Sequence, residues 1–315
     1  MIISMLTEGV GQGLLWALLA IGIFITFRIL EFADLTAEGS FALGGSVTAA
    51  ILAGGGSIAQ AMVVALFAGA AAGFTTGILH TKLKIPAILA GILTMIALYS
   101  VNIRILGNRG SLPIGTVPTL MDKVGAVFGV RHNISPIIAG ALLCAVAIAA
   151  LYWLFGTELG SSIRATGSNE KMCRALGIST DKTKIIALIM SNSIIAVSGS
   201  LVAQSHYLGD VTMGTGAIVI GLASLIIGEA FTGRKFPFWA RLAFVAVGSI
   251  IYRFIVVLII NIELFSSSDL KLITAAVVAV ALALPNITGK FKKSAKTAEV
   301  QQGAQKPEEN CNDRD

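Results

Sequence analysis

The sequence predicts an all-α polytopic integral membrane protein that crosses the bilayer about nine times. Hydrophobic residues make up 55% of the chain and charged residues only 13%, and the mean hydropathy is +0.85. Apolar runs of bilayer-spanning length recur along the sequence. Many of the 34 glycines lie inside those runs, as is usual where membrane helices pack closely. This composition excludes a soluble globular protein.

The first crossing is predicted at residues 10–29 and is followed by a polar break at residues 30–40. The break and its edge carry one base and three acids: Arg28, Glu31, Asp34 and Glu38. The second apolar run, residues 41–52, is short for a complete crossing, so the break is expected to lie partly inside the membrane and to line a cavity. Asp34 or Thr36 is expected to cap the helix that follows.

The remaining crossings are predicted from further apolar runs. These are residues 57–79, 86–105, 134–155, 185–204, 242–260 and 270–284. A shorter run at residues 217–227 is predicted to be a half-crossing or a tightly packed helix. Gly69, Gly73 and Gly77 are spaced along one side of the third crossing and predict a face for close helix packing.

The loops predict the orientation of the chain. Residues 80–84 and 229–241 are basic loops, which the positive-inside rule places in the cytoplasm. Residues 107–133 form a long outer link with a short amphipathic helix expected at residues 117–128, and residues 206–214 form a small outer loop. The N-terminus is therefore predicted outside and the C-terminus in the cytoplasm.

Two regions are predicted, a transmembrane domain of residues 1–285 and a polar, disordered cytoplasmic tail of residues 286–315. The formal net charge of +6 comes mostly from lysine and arginine in the loops and the tail. It therefore indicates membrane topology and not nucleic-acid binding. The three cysteines, Cys144, Cys173 and Cys311, have no disulfide or metal-site spacing.

The most distinctive stretch is a polar interruption at residues 156–184, between two predicted crossings. Its basic excess places it in the cytoplasm. Residues 168–176 are predicted to form a short helix, with Ser168 as its N-cap and Gly177 at its end. The apolar side of that helix is formed by Met172, Leu176 and Ile178. A capped helix with an apolar side at the membrane surface is expected to bind a partner.

This interruption contains the pattern T-x-x-G-x-x-x-R-A-x-G-x-N, which is followed after seven residues by G-I. The residues of the pattern are Thr157, Gly160, Arg164, Ala165, Gly167, Asn169, Gly177 and Ile178. It resembles the cytoplasmic coupling loop of ABC-importer permeases of the branched-chain amino-acid and simple-sugar superfamily. Residues 22–45 look like that family's first conserved segment. Residues 216–228 are similar to its later small-residue segment, without the usual paired glycines. The form R-x-L-x-x-x-D-L-T-x-E-G-S at residues 28–40 resembles an amino-acid-type branch. The resemblance covers about residues 8–285.

The resemblance implies the permease subunit of an ATP-driven importer of a small solute, with an amino acid as the first expectation and simple sugars or nucleosides fitting nearly as well. It implies an ABC ATPase subunit that carries ATP and Mg²⁺, an extracytoplasmic solute-binding protein, and a second permease copy, expected as a homodimer in the lipid of the cell membrane. This chain is expected to bind no cofactor or metal and to have no catalytic residue. It contains no G-x-x-x-x-G-K-[ST] motif for nucleotide phosphates.

The resemblance also implies roles within the coupling loop. Arg164 and Asn169 are expected to hold the loop in shape, and Gly167 and Gly177 are expected to make sharp backbone turns. The residues expected to face the ATPase, with charges at the rim and apolar groups at the centre, are Glu170, Lys171, Met172 and Leu176. The alternative is an ordinary charged inner loop.

Polar residues inside the predicted crossings are candidates for the translocation path, because polar groups in a membrane are costly. The candidates are Glu38, Ser40, Asn102 and Asn192. The Glu38 carboxylate is expected to meet a substrate amine. Alternatively, the acids of the break cap the short helix and pair with Arg28, and the other groups bond between helices. A rival function, an ion-gradient-driven secondary transporter, would use Glu38 as its ion site.

Overall fold

The computed structural model describes residues 2–115, 117–130, 134–232 and 236–261, together with residues 275, 276 and 279. The described residues form eleven α-helices, one π-helical segment and one two-stranded sheet. Six helices in this part of the chain are long and apolar enough to cross a membrane, which confirms an all-α polytopic membrane protein. The predicted crossing at residues 270–284 lies almost wholly outside the described residues, and the tail at residues 286–315 lies entirely outside them.

The first crossing is the most enclosed of the six. Helix α1 (Ile2–Ile23) continues directly into a π-helical segment (Phe24–Ile29). The span Leu6–Ile29 is 78% buried, against 22% for the peripheral span Ser135–Phe155. Four of the other helices pack against this crossing, namely α6 (Ser135–Phe155), α9 (Thr180–His206), α10 (Ala217–Phe231) and α11 (Phe238–Asn261).

The polar break is shorter than predicted. Helix α2 (Thr36–Ala53) already begins inside it, because the Asp34 carboxylate accepts a hydrogen bond from the Thr36 N–H at 2.9 Å. The N-cap residue is Leu35, which makes no side-chain cap, so Asp34 bonds the first helical N–H from one position before the N-cap. The alternative pairing of the acids with Arg28 is wrong, since Arg28 Nε donates to Glu229 Oε1 at 2.7 Å.

Helices α3 (Ile58–Thr81) and α4 (Ala87–Ile105) agree closely with the predicted runs. Ser57 caps α3, its hydroxyl oxygen accepting from the Gln60 N–H at 3.2 Å. Pro86 directly precedes α4, a position where its missing N–H costs no helical hydrogen bond.

The glycine face predicted on α3 packs against α9 (Thr180–His206). A methyl group at Gly69 would overlap the carbonyl oxygen of Asn192 in α9, and one at Gly73 the carbonyl oxygen of Leu188. The prediction of a close-packing face is therefore confirmed.

The long link that was predicted to lie outside contains a short strand and a helix. Strand β1 (Ser111–Pro113) pairs antiparallel with β2 (Leu208–Asp210), which follows α9. Helix α5 (Leu120–Phe128) is shorter than the expected helix at residues 117–128. The Asp122 carboxylate accepts from the Thr119 N–H at 2.8 Å, so a polar cap fixes where α5 begins.

The polar interruption follows α6 (Ser135–Phe155) and holds two helices where one was predicted. Helix α7 (Glu158–Ser168) was not predicted, and the short helix α8 (Glu170–Ala175) comes directly after it. Helix α9 then begins at Thr180, five residues before the predicted crossing.

Helix α10 (Ala217–Phe231) has 15 residues and is about 22 Å long at 1.5 Å per residue. This is shorter than the hydrocarbon core of a bilayer, roughly 30 Å, and agrees with the short segment predicted there. Helix α11 (Phe238–Asn261) is of full membrane-spanning length.

The connection from β2 to α10 is not the small surface loop expected at residues 206–214. It runs alongside α2, because a methyl group at Gly209 would touch Gly45 and Ala49, and one at Gly214 would overlap the carbonyl oxygen of Glu38. These contacts extend from Ala49 to Glu38, which lie about 16 Å apart along α2 at a rise of about 1.5 Å per residue. Residues 211–216 are therefore non-helical backbone that lies along α2, with Val211 and Gly214 buried and Thr212 and Thr215 exposed.

Candidate functional site

Helix α8 has well-defined ends. Asn169 is extended (φ −157°, ψ 94°), and its Oδ1 accepts a hydrogen bond from the Met172 N–H at 3.0 Å. Ser168 was predicted to be the N-cap, but the N-cap is Asn169, because Ser168 still belongs to the last turn of α7. Gly177 has a φ of +80°, a left-handed conformation that favours glycine and ends the helix as predicted.

Charged side chains fasten α8 to the start of α9. The Glu170 carboxylate forms ion pairs with Arg174 at 2.7 Å and with Lys184 at 2.8 Å. Arg174 Nε also donates to Thr180 Oγ1 at 2.9 Å. The hydrogen bond from Lys184 is the largest of the effects that hold the pKa of Glu170 below its usual value. Glu170 thus supports the loop itself, and its predicted contact with a partner stays a prediction.

The opposite side of α8 is apolar and open. Met172 is 49% exposed and Leu176 70% exposed, whereas Cys173 between them is fully buried. Lys171 is exposed beside them. Large apolar side chains that stand together on a polar loop are typical of a protein interaction surface.

Helix α7 links α8 to the first crossing. Arg164 Nη2 donates to the Phe155 carbonyl at 3.0 Å, which joins α7 to the end of α6. Gly167 was predicted to make a sharp turn, and this is wrong. It lies within α7, where a methyl group would overlap the carbonyl oxygen of Ile29. Its small size therefore serves close contact and not a turn.

A cavity of about 340 Å³ lies between α2, α4 and the connection that leads to α10. Its polar lining groups are Glu38, Tyr99, Asn102 and Thr215, and its apolar ones include Met95 and Ile96. Two of the four predicted path residues, Glu38 and Asn102, are thus brought together in one cavity wall. Glu38 Oε1 accepts from the Gly216 N–H at 3.0 Å, directly before the first turn of α10.

The other two predicted path residues lie elsewhere, in a buried polar network. Ser40 and Asn192 are both fully buried. Ser40 Oγ donates to Asn192 Oδ1 at 2.7 Å, and Asn192 Nδ2 donates to Asp34 Oδ2 at 2.7 Å. This network joins α2 to α9, and the assignment of these two residues to the path stays a prediction.

Some polar contacts of the fold were not predicted from the sequence. The hydroxyl groups of Thr36 and Thr76 lie 2.6 Å apart, and Thr76 donates to Thr94 at 2.9 Å, so a chain of threonines joins α2, α3 and α4. The signal available was a polar residue inside each apolar run. Among the described residues, no group of three His, Cys, Asp or Glu side chains is arranged to hold a metal ion.

Comparisons with known proteins agree with this architecture. The family model for the permease component of branched-chain amino acid transport systems matches residues 5–287. The tyrosine transport system permease protein of Clostridioides difficile (strain R20291) is 38% identical over 293 residues, which cover 93% of this chain and 94% of that protein. The ribose import permease protein of Escherichia coli (strain K12) is 29% identical over 200 residues, which cover 64% of this chain and 61% of that protein.

A solved structure is also similar in fold. An ABC transporter of metal-chelate type, in an inward-facing conformation, superposes with a TM-score of 0.50 over 90% of this chain and 84% of that one. The sequence identity is 14%, so the likeness concerns the fold alone.

Proposed function

Because the chain belongs to the branched-chain amino-acid and sugar permease superfamily of ABC importers, we propose that it is the permease subunit of an ATP-driven importer for an amino acid. A solute-binding protein on the outside delivers the solute. The chain is not itself the ATPase, and ATP and Mg²⁺ bind to a partner subunit. The amino-acid substrate is supported by the 38% identity to a tyrosine transport permease, whereas the ribose permease is more distant.

The observation that carries the proposal is the exposed apolar side of α8. Met172 and Leu176 are 49% and 70% exposed on a helix that is fastened to α9 by Glu170 and Arg174. An apolar surface on a rigidly held helix suits binding to an ATPase whose movement must be transmitted to the membrane helices. Lys171 lies at the rim of this surface, where charged groups favour correct orientation of a partner.

The rest of the assembly follows from the same proposal. Two copies of the chain form a homodimer in the cell membrane, each with about nine crossings, the N-terminus outside and the C-terminus in the cytoplasm. The ATPase pair binds the two α8 helices, and its ATP-driven closure shifts the permease between inward-open and outward-open states. Coupling requires that the ATPase bind these two states with different affinities.

A second candidate, an ion-gradient-driven transporter, is favoured by one observation. Glu38 is a carboxylate within the bundle, and none of the ion pairs among the described residues includes it. Uptake into vesicles separates the two candidates. Uptake that needs ATP and resists an uncoupler supports the importer, whereas uptake that an uncoupler abolishes supports the ion-driven transporter.

The proposal is tested by placing a charge on the exposed side of α8. Leu176→Asp is expected to abolish co-purification of the ATPase from detergent-solubilised membranes, since a charge in the centre of a docking surface is desolvated without a partner. Val127→Asp is the matched control, because Val127 is 79% exposed on α5, at the opposite end of α9 from α8. Equal recovery of the ATPase with both variants would contradict docking through α8.

A further inference from the structure

The cavity beside Glu38 lies inside the membrane. Glu229, near the C-terminal end of α10, pairs with Arg28 at the inner end of the first crossing. Gly216, which Glu38 contacts, directly precedes the other end of α10. It therefore lies about 20 Å from Glu229, at a rise of about 1.5 Å per residue. In a hydrocarbon core of roughly 30 Å, this places the cavity well below both surfaces.

Non-helical backbone forms one wall of this cavity. Val211, Gly214 and Thr215 belong to the connection that runs along α2. At membrane depth, irregular backbone is tolerated only where protein buries it or where it lines a water-filled space. Binding sites of transporters are typically built in this way, where a short helix begins near the middle of the membrane. Helix α10 begins there.

Two of the polar groups that line the cavity keep unused capacity to accept hydrogen bonds. Asn102 is only 1% exposed and its Oδ1 has no hydrogen-bond partner, while its Nδ2 faces the Gly39 carbonyl at 3.5 Å. The Glu38 carboxylate accepts from the backbone N–H groups of Gly216 and Ile218 and, with two oxygens, can accept further bonds. Both residues line the same cavity, and one of them is an acid.

We propose that this cavity binds the α-ammonium group of the transported amino acid, between the Glu38 carboxylate and Asn102 Oδ1. An ammonium group supplies three N–H donors and a positive charge that pairs with the Glu38 carboxylate. Tyr99, Met95 and Ile96 then contact the substrate side chain, and Tyr99 presents a half-exposed ring suited to an aromatic one. The volume of about 340 Å³ lies within the range of small-ligand sites.

This inference rests on the proposed function for the identity of the solute, but it can be tested on the permease alone. The test uses the full chain in lipid nanodiscs, with Cys144, Cys173 and Cys311 replaced by alanine and a single reporter introduced by Thr215→Cys. Thr215 is exposed and lines the cavity. The modification rates with a cationic reagent, 2-aminoethyl methanethiosulfonate, and an anionic one, 2-sulfonatoethyl methanethiosulfonate, report the local charge.

The Glu38 carboxylate is expected to favour the cationic reagent, and Glu38→Gln is expected to lower the cation-to-anion rate ratio about tenfold. Glu31→Gln is the matched control, because Glu31 is an exposed carboxylate seven residues earlier in the chain and outside the cavity lining. It is expected to leave the ratio unchanged. An equal ratio in the Glu38→Gln variant overturns the charge assignment.

Ligand protection then tests the ammonium itself. L-Tyrosine is expected to slow modification of Thr215→Cys, whereas 3-(4-hydroxyphenyl)propionate, which has the same ring without the ammonium, and D-ribose are not. Asn102→Leu removes the unpaired acceptor at similar volume and is expected to raise the L-tyrosine concentration needed about tenfold. Size-exclusion elution and thermal unfolding establish that each variant is folded.

The possible results separate the two proposals. Protection by D-ribose or by the propionate equal to that by L-tyrosine overturns ammonium recognition, and so does an absence of protection by L-tyrosine. ATP hydrolysis is measured separately, on the complex with the co-purified ATPase. If the permease has no effect on that hydrolysis, the importer proposal fails, while the labelling result for the cavity stands by itself.

Discussion

Gly167 in α7 lies directly against the carbonyl oxygen of Ile29, the last residue of the π-helical segment. This contact joins the polar interruption to the C-terminal end of the most buried crossing. Residue 167 has no side chain that could act as a spacer, so α7 and the first crossing touch through their backbones. We therefore expect a movement of α7 to reach the first crossing without intervening flexible side chains.

Gly167→Ala is expected to disturb this contact, because the added methyl group would overlap the Ile29 carbonyl oxygen. Overpacking of this kind costs about 1–3 kcal/mol. Thermal unfolding in detergent measures the loss, and ATP hydrolysis by the assembled complex measures the coupling. Gly110→Ala is the control, since a methyl group there meets nothing within 4 Å. Equal stability of the two variants would show that the helices separate at no cost.

Ser40→Ala is expected to weaken the attachment of α2 to α9. Ser40 Oγ donates to Asn192 Oδ1 at 2.7 Å, and the alanine variant leaves that buried acceptor without this donor, at a cost of about 1 kcal/mol. Ser193→Ala is the matched control, because Ser193 Oγ donates only within its own helix, to the Ile189 carbonyl at 2.7 Å. Comparison of the unfolding temperatures of the two variants is the measurement. A loss no greater for Ser40 than for Ser193 would argue against a stabilising network.

The crossings were predictable because an apolar run of membrane length has few stable structures other than a membrane-spanning helix. Helices α3 and α4 agree with their predicted runs within about two residues. Helix α7 was missed because its sequence, ELGSSIRATGS, has neither a long apolar run nor a clear apolar side. The N-cap of α8 was misplaced by one residue because Ser168 and Asn169 are both good capping residues, and only the extent of α7 decides between them.

The site was predictable in its residue types but not in its pairings. Polar residues in apolar runs indicated Glu38, Asn102 and Asn192, yet the sequence gives no sign of which of them meet. The Arg28–Glu229 pair joins residues 201 positions apart, and the Glu38–Gly216 contact joins residues 178 apart. Such contacts depend on how helices pack, and a local pattern carries no information about that.

The attachment of α8 is expected to weaken at acidic pH. The pKa of Glu170 is held below its ordinary value of 4.5 in the folded protein, chiefly by the hydrogen bond from Lys184. A lowered folded-state pKa means that the stabilisation is fully present above pH 4.5 and is lost as the pH falls through the folded-state value. Hydrogen exchange of the α8 amides, corrected for intrinsic rates, is the measurement.

In the Glu170→Gln variant this pH dependence is expected to disappear. At neutral pH, the α8 amides are expected to exchange faster in the variant than in the unmodified protein. At a pH low enough to protonate Glu170 in the unmodified protein, the two are expected to exchange at the same rate. The Glu170 side chain is 35% exposed, so solvent screening keeps the difference small. A difference that persists unchanged to the acidic end of the range would mean that Glu170 holds α8 by its shape and not by its charge.

Glu229→Gln is expected to loosen the end of the bundle where the first crossing meets α10 and α11. Glu229 lies 2.7 Å from Arg28 and 3.6 Å from Arg241, so it joins the first crossing, α10 and the start of α11. Both pairs are partly exposed, which limits the loss of stability to about 0.5–1 kcal/mol. Because salt screens such pairs, the difference in unfolding temperature between variant and unmodified protein is expected to shrink as the salt concentration rises.

Glu31→Gln is the control for this effect, because Glu31 is an exposed acid near Arg28 that is not in contact with Glu229. It is expected to leave both the unfolding temperature and its salt dependence unchanged. If Glu229→Gln instead lowers stability equally at low and high salt, the carboxylate contributes through its hydrogen bond to Arg28 Nε. Its charge would then have no part in holding the three helices together, since screening acts on charge and not on hydrogen-bond geometry.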